Sequence, residues 1–392
     1  MPDQSLISQR ALSLRPSLTL EISSKANALK AQGRDICSLS AGEPDFNTPE
    51  FIVEAGIKAL KDGRTRYGPA AGDPELREAI ADKLSKTNKI NTTSDQVLIT
   101  NGGKQAIFNL FQIILDAGDE VIIPSPYWLS YPQIVKLSGA KPIYINSTSK
   151  DGFSLDLKSL EESITEKTKL LILNSPNNPT GRVTNKKELL GIAEILMKHP
   201  KVFVMSDEIY EFIIAKDEIH HSFAAIAPQI SDRVFTVNGF AKGWAMTGWR
   251  IGYLSGPKEI IKTAIALQSQ STSNVCSFAQ RGALAAILGP KDCLDLMRES
   301  YSLRRDILTN SLKQIPQISL VAPSGAFYAF PDLSSHINDS IAFCKLALDK
   351  VGLAMIPGGV FGENQCVRLS SAVDEETIQD GVNRLKVLLE SI

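Results

Sequence analysis

No CxxC pair, no long apolar run and no excess of either charge occurs in this 392-residue sequence, and each absence closes off a class of function. The five cysteines, Cys37, Cys276, Cys293, Cys344 and Cys366, are odd in number and scattered. That usage speaks for reduced thiols in a cytosolic protein and against a disulfide framework or a zinc site, so no metal is expected. No apolar run approaches the roughly 18 residues that cross a bilayer, and Met1 to Pro16 has no apolar signal core, so the protein is expected to be soluble and unprocessed. Lysine plus arginine number 42 against 43 aspartate plus glutamate, a formal net charge of −1. Nothing in that balance invites nucleic acid or an anionic membrane, so any anion site must be local. Neither GxGxxG nor GxxxxGK followed by serine or threonine is present, which disfavours a nucleotide site.

What the sequence does contain is alternation. Short apolar runs at Val97 to Thr100, Val121 to Ile123, Leu170 to Leu173, Val202 to Met205 and Val234 to Val237 read as buried strands, separated by helical patterns such as Gln105 to Leu115 and Lys187 to Lys198. Asp73-Pro74 reads as an N-cap with proline at the first helical position. Strand-helix alternation predicts an α/β fold with a mostly parallel sheet flanked by helices. After about Pro290 the pattern changes to a charged helix, short strands around Ile318 to Val321 and Ala326 to Phe330, and a helix near Ser340 to Val351. The expectation is a large domain over 47–290 and a smaller α+β domain built from 1–46 and 291–392.

Ligands in open α/β sheets bind beyond the carboxyl ends of the strands, and those positions are unusual here. Asn101-Gly102-Gly103-Lys104 follows the first strand, Pro124 to Trp128 the second, and NSPNNPTG (Asn174 to Gly181) the third; SDEIY (Ser206 to Tyr210) and NGFAK (Asn238 to Lys242) end the series. Two glycines at a helix start can offer bare N–H groups to a phosphate, although strand-to-helix turns need glycine in any case. Lys242 lies eight residues before Arg250 in AKGWAMTGWRIG. Burial and a neighbouring cation both lower a lysine pKa, leaving a neutral amine able to attack a carbonyl; an ordinary surface lysine is the alternative. Asp207, past an apolar strand, could keep a pyridine nitrogen protonated while Tyr210 bonds a ring hydroxyl, or the pair could be a helix cap and a packed ring.

Together these segments resemble the fold-type I, class I aminotransferases, from SAGEPDF at Ser40 to VRLS at Val367, through RYGPAAGDPELR, the GGK at Gly102 to Lys104, PYW at Pro126 to Trp128, NPTG at Asn178 to Gly181, SDEIY and AKGWAMTGWRIG. The resemblance implies pyridoxal 5′-phosphate bonded covalently to Lys242, which would also move a proton at the substrate α-carbon. It implies Asp207 at the ring nitrogen, Tyr210 and Asn178 at the ring hydroxyl and Trp128 on the ring face, with Gly103, Lys104 and Arg250 around the phosphate. Tyr67 would reach the phosphate of a neighbouring subunit, making a homodimer with shared sites. Arg368 would clamp the substrate α-carboxylate with its planar fork, with Gly42 against the substrate. Gly239 and Ala241 depart from the family, where hydroxyl residues are common, and so do Gln365 and Cys366 before Arg368.

No arginine occurs from Gln268 to Phe278, so the distal-carboxylate arginine of one aspartate-specific subgroup is missing. The sequence is more similar to another aspartate aminotransferase subgroup, in which Lys104, Thr19 and Ser17 match the distal-carboxylate positions; Arg15 adds a further cation. That resemblance implies transfer between L-aspartate and 2-oxoglutarate, with prephenate a second acceptor. Other readings stay open: an aminotransferase for aromatic or neutral amino acids or a pyridoxal-phosphate lyase on the same fold, and a non-catalytic sensor, which would need an added helix-turn-helix module.

Overall fold

The computed structural model describes residues 7–12, 14 and 18–392. Seven strands form one sheet: β1 (Val97–Thr100), β2 (Glu120–Ser125), β3 (Lys141–Asn146), β4 (Thr168–Asn174), β5 (Phe203–Asp207), β6 (Val234–Gly239) and β7 (Gly252–Ser255), in the order β1-β7-β6-β5-β4-β2-β3. Only β7 opposes its neighbours, pairing antiparallel with β1 and β6. Because side chains alternate across a strand, each apolar run feeds two cores. Leu98, Val121, Ile123, Leu170, Ile172, Phe235 and Val237 pack on one face. Ile99, Ile122, Leu171, Val204 and Val234 pack on the other. Burial on both faces is why these strands read as unbroken apolar runs.

The helices relevant to the site are α1 (Leu18–Ala31), α2 (Pro74–Lys86), α3 (Gly103–Ile114), α4 (Ser130–Leu137), α5 (Lys186–Met197), α6 (Asp292–Lys313), α7 (Ser340–Val351) and α8 (Glu375–Glu390). Asp73 caps α2 by accepting from the Glu75 N–H at 3.0 Å, and Asn185 caps α5 by accepting from Glu188 at 2.9 Å. Each satisfies an N–H that the first turn leaves without an intrahelical partner.

The C-terminal part adds a small antiparallel sheet of β8 (Tyr328–Ala329), β9 (Ile356–Pro357) and β10 (Val367–Ser370), in the order β9-β10-β8. Cys37–Ser38 runs parallel to Leu353–Ala354, and Leu39 joins Leu308, Leu312, Phe343, Leu369 and Leu385 in an apolar cluster of its own. One expected strand is corrected: Ile318 to Val321 makes a single bridge, Ser319 to Asp332, because this stretch is half-exposed and has no neighbour to extend the ladder. Ala326 to Phe330 shortens to β8, since Ala326 turns the chain at φ 51°.

Candidate active site

A cavity of about 600 Å³ opens where the carboxyl ends of β1, β2, β4, β5 and β6 meet the small antiparallel sheet. That size suits a cofactor-sized ligand. Its phosphate-sized corner begins at Gly102, whose φ of 81° and ψ of 166° only glycine adopts without strain. Space demands glycine too, for a Cβ there would sit 2.6 Å from Arg250 Nη2. Arg250, itself at φ 58°, donates through Nη1 to the Thr247 carbonyl at 2.9 Å and through Nη2 to the Asn101 carbonyl at 3.3 Å, which fixes its guanidinium beside the start of α3. The unpaired N–H groups of Gly103 and Lys104 and the Arg250 cation form an anion-binding corner.

At the end of β5, Asp207 is buried and accepts from the Tyr131 hydroxyl at 2.7 Å and from the Ile209 N–H at 3.3 Å. Burial lifts its carboxyl to about 6, with the hydrogen bond from Tyr131 acting in the opposite direction. Neither partner neutralises it, so a cation in the cavity would find a counter-charge. Tyr131 lies on α4 one helical turn after Trp128, and the two rings meet edge to face with centroids 5.3 Å apart.

Lys242 follows β6. Its Nζ donates to the Gly42 carbonyl at 2.5 Å and lies 5.7 Å from the Tyr210 ring centre. Desolvation, then the cation of Arg368, lower its ammonium to about 8, a value at which an appreciable fraction is the nucleophilic neutral amine near neutral pH. Glu43, which accepts from the Thr247 hydroxyl at 2.7 Å, opposes that shift.

Arg368 on β10 is buried against the ring of Tyr328, its Cζ 4.3 Å from the ring centre. Nη1 donates to Asn178 Oδ1 at 2.9 Å and Nη2 to the Ser40 carbonyl at 3.2 Å, while Nε meets no acceptor among the described residues. The departures at Gln365 and Cys366 leave this arrangement intact: Gln365 accepts from Leu333 N and Cys366 from Gly358 N through their carbonyls, and β10 pairs regularly. Gly239 has a steric reason, since a Cβ there would lie 2.9 Å from the Gly252 Cα and the Ile251 carbonyl.

On the same cavity wall Lys104 Nζ lies 5.0 Å over the Trp128 ring, its pKa lowered by burial and then by Arg250. Thr19 lines the same cavity from α1. The sequence reading missed its helical companions Ser23 and Asn27, at i+4 and i+8 from Thr19, which with Ser38 and Ser40 make this wall polar. Spacing along α1 carried that signal. Tyr67 stands apart from the cavity, 94% exposed. Ser17 and Arg15 lie outside the described residues.

Behind Asp207 is a network that the sequence reading also missed. Glu208 accepts from Ser206, His220 and Ser222, at 2.9, 3.1 and 2.6 Å. Glu211 pairs with Lys83 and accepts from Asn88 and Asn238 at 2.7 Å each. Among the described residues, Glu208, Glu211 and His220 are the one grouping of three side chains whose ligand atoms could surround a metal. Their oxygens are spent on these donors and the Lys83 ammonium supplies the positive charge, so the network braces the ends of β5 and β6 instead.

Anion corner, uncompensated buried carboxylate, lowered lysine and aromatic wall fit a phosphorylated pyridine aldehyde, and Arg368 and Lys104 are further cations on the same cavity wall. The chain belongs to the aminotransferase class I and II family, whose model matches residues 34–385. Among its relatives is a probable aspartate/prephenate aminotransferase of Aquifex aeolicus, 44% identical over 98% of this chain and 99% of that protein. The aspartate aminotransferase of Bacillus subtilis is 41% identical over 98% of this chain and 99% of its own. The structure of aspartate aminotransferase from Thermus thermophilus with maleate superposes with a TM-score of 0.94 at 42% identity, covering 97% of this chain and 99% of that one.

Proposed function

We propose that this enzyme moves an amino group between L-aspartate and 2-oxoglutarate, with prephenate as a second amino acceptor. The observation that carries the reading is one cavity lined by two cations in addition to Arg250 of the anion corner, Arg368 and Lys104, with the Lys242 amine also on its wall. Two carboxylates on one substrate match that layout.

Pyridoxal 5′-phosphate, when bound, supplies a protonated ring that draws electron density from the substrate's α-carbon. Lys242 is the residue that would bond it covalently, and Gly103, Lys104 and Arg250 would hold its phosphate. Asp207 would keep the ring nitrogen protonated, which its partly lost solvation and the Tyr131 hydrogen bond suit it to do. Tyr210 and Asn178 would bond the ring oxygen, and Trp128 would cover one face.

Arg368 orients the substrate by its α-carboxylate, with Asn178 and the Ser40 carbonyl fixing the plane of the fork. Lys242, deprotonated, would carry the proton between the substrate's α-carbon and the cofactor; its hydrogen bond to the Gly42 carbonyl keeps the amine inside the cavity. Lys104 and Thr19, extended by Ser17 and Arg15, receive the distal carboxylate. Ser23, Asn27 and Ser38 add hydrogen-bonding groups to the wall, and the cavity volume of about 600 Å³ supports an acceptor larger than 2-oxoglutarate.

We further propose a homodimer, to which the exposed Tyr67 ring would contribute a contact with the partner's phosphate corner, and a division into a large unit over 47–290 and a small one from 1–46 and 291–392. Five free thiols support a reducing, cytoplasmic setting. No helix among the described residues is long and apolar enough to cross a membrane.

A donor panel tests the substrate assignment. Aspartate and glutamate should be deaminated at least tenfold more efficiently than alanine, tyrosine or phenylalanine, with 2-oxoglutarate and prephenate both accepted. Faster deamination of a monocarboxylic amino acid would overturn it.

A further inference from the structure

Tyr328 occupies a place that no motif of the sequence marks. Its hydroxyl lies 2.9 Å from that of Tyr210, and both side chains are buried. Pairing of Ser370 with Tyr328 across β10 and β8 makes Arg368 a diagonal neighbour on the same face, which is why its guanidinium lies over the Tyr328 ring at 4.3 Å. Tyr210 is fixed from its other side by Phe327, edge to face with centroids 5.6 Å apart. One aromatic side chain therefore touches both the arginine assigned to the substrate and the phenol assigned to the cofactor.

Two phenols that share one hydrogen bond leave one proton unspent, and the better donor is the more acidic of the pair. Burial raises both phenols, Tyr210 well above the usual value and Tyr328 less, because the Arg368 cation at its ring and the bond with Tyr210 oppose the rise at Tyr328. Either hydroxyl can donate across 2.9 Å, and with Tyr328 as the donor the Tyr210 proton is free for a ligand in the cavity that both residues line. A hydroxyl that accepts one hydrogen bond also becomes a stronger donor in the next.

We propose that Tyr328 is a positioning residue that aims the Tyr210 hydroxyl into the cavity and holds the Arg368 fork flat, so that one side chain supports both cofactor and substrate binding. The inference rests on the aminotransferase reading given above. Its two halves separate by substitution, because phenylalanine keeps the ring under Arg368 and removes only the hydroxyl, whereas leucine removes both.

The experiment compares Tyr328→Phe, Tyr210→Phe, their double variant and Tyr328→Leu with the wild type, all as full chains. The readouts are the dissociation constant of pyridoxal 5′-phosphate from each protein, measured by dialysis, and kcat and KM for aspartate. Tyr328→Phe should weaken cofactor binding by about threefold to tenfold, the range expected for one neutral hydrogen bond. The double variant should be no weaker than Tyr210→Phe alone, since both changes break the same link. Under Tyr328→Phe the KM for aspartate should stay within about twofold of wild type, and under Tyr328→Leu it should rise by about tenfold as the cation loses its ring. Independent, multiplying losses in the double variant would overturn the inference, and so would an equal rise in KM for the Phe and Leu variants. A wild-type protein that fails to bind the cofactor or to deaminate aspartate would instead overturn the function itself.

Discussion

Replacing Lys104 by alanine isolates the group that decides substrate class. Although Lys104 is an exposed residue, its Nζ lies 5.0 Å over the Trp128 ring, and desolvation and then Arg250 lower its pKa, so the ammonium has been brought onto the cavity wall at some cost to its hydration. A charge-assisted hydrogen bond to a distal carboxylate contributes about 1.5–3 kcal/mol. At about 1.4 kcal/mol per tenfold, Lys104→Ala should lower kcat/KM for aspartate and for 2-oxoglutarate by roughly 10- to 150-fold. Alanine, with no distal carboxylate, should lose less than about threefold. The backbone N–H of residue 104 remains, so cofactor loading, read by absorbance after dialysis, should persist. An equal loss for aspartate and alanine, or an enzyme stripped of cofactor, would refute the assignment of Lys104 to the substrate and move it to the phosphate.

Gly102→Ala should weaken cofactor binding at least tenfold and lower the stability of the fold by about 1–3 kcal/mol in a denaturant titration, because alanine is strained at φ 81° and its Cβ collides with Arg250. Arg368→Lys should raise KM for both dicarboxylate substrates by at least tenfold in steady-state assays, since an ammonium cannot hold Asn178, the Ser40 carbonyl and a carboxylate in one plane. Asp207, raised to about 6, is charged above that pH and neutral below it, so cofactor affinity measured by dialysis should fall as pH drops through 6. Tyr131→Phe removes a donor that favours the charged form, so in that variant the fall should begin at higher pH.

Much of this site was legible in the sequence because the chemistry sits where five buried strands end, and buried strands in a parallel sheet leave unbroken apolar runs. Thr19, Gly42, Gly103, Lys104, Trp128, Asn178, Asp207, Tyr210, Lys242, Arg250 and Arg368 all line the one cavity. Edge and reversed strands were harder. β3 is half-exposed, with Tyr144 open to solvent, and lacks the continuous apolar signature; β7 is only four residues long and follows directly on the loop carrying Arg250. The expected strand at Ile318 to Val321 had the right residue types but only the single bridge from Ser319 to Asp332, which local pattern cannot reveal. Tyr131, Tyr328 and the Glu208–Glu211 network were missed for a related reason. Each acts through another side chain, and such contacts come from tertiary packing; only Tyr131, three residues after Trp128 on a helix, had a spacing that could have exposed it.

The central claim is tested most directly by a single half-reaction. Purified enzyme loaded with pyridoxal 5′-phosphate is mixed with excess L-aspartate and no oxo acid, and the products are counted against bound cofactor, with Lys242→Ala run in parallel. The account predicts one oxaloacetate per loaded site, no free ammonia, recovery of the original absorbance on adding 2-oxoglutarate, and no oxaloacetate from the Lys242 variant. Continuous release of ammonia or carbon dioxide without an acceptor would mark a lyase, and full turnover by Lys242→Ala would contradict the role assigned to that lysine.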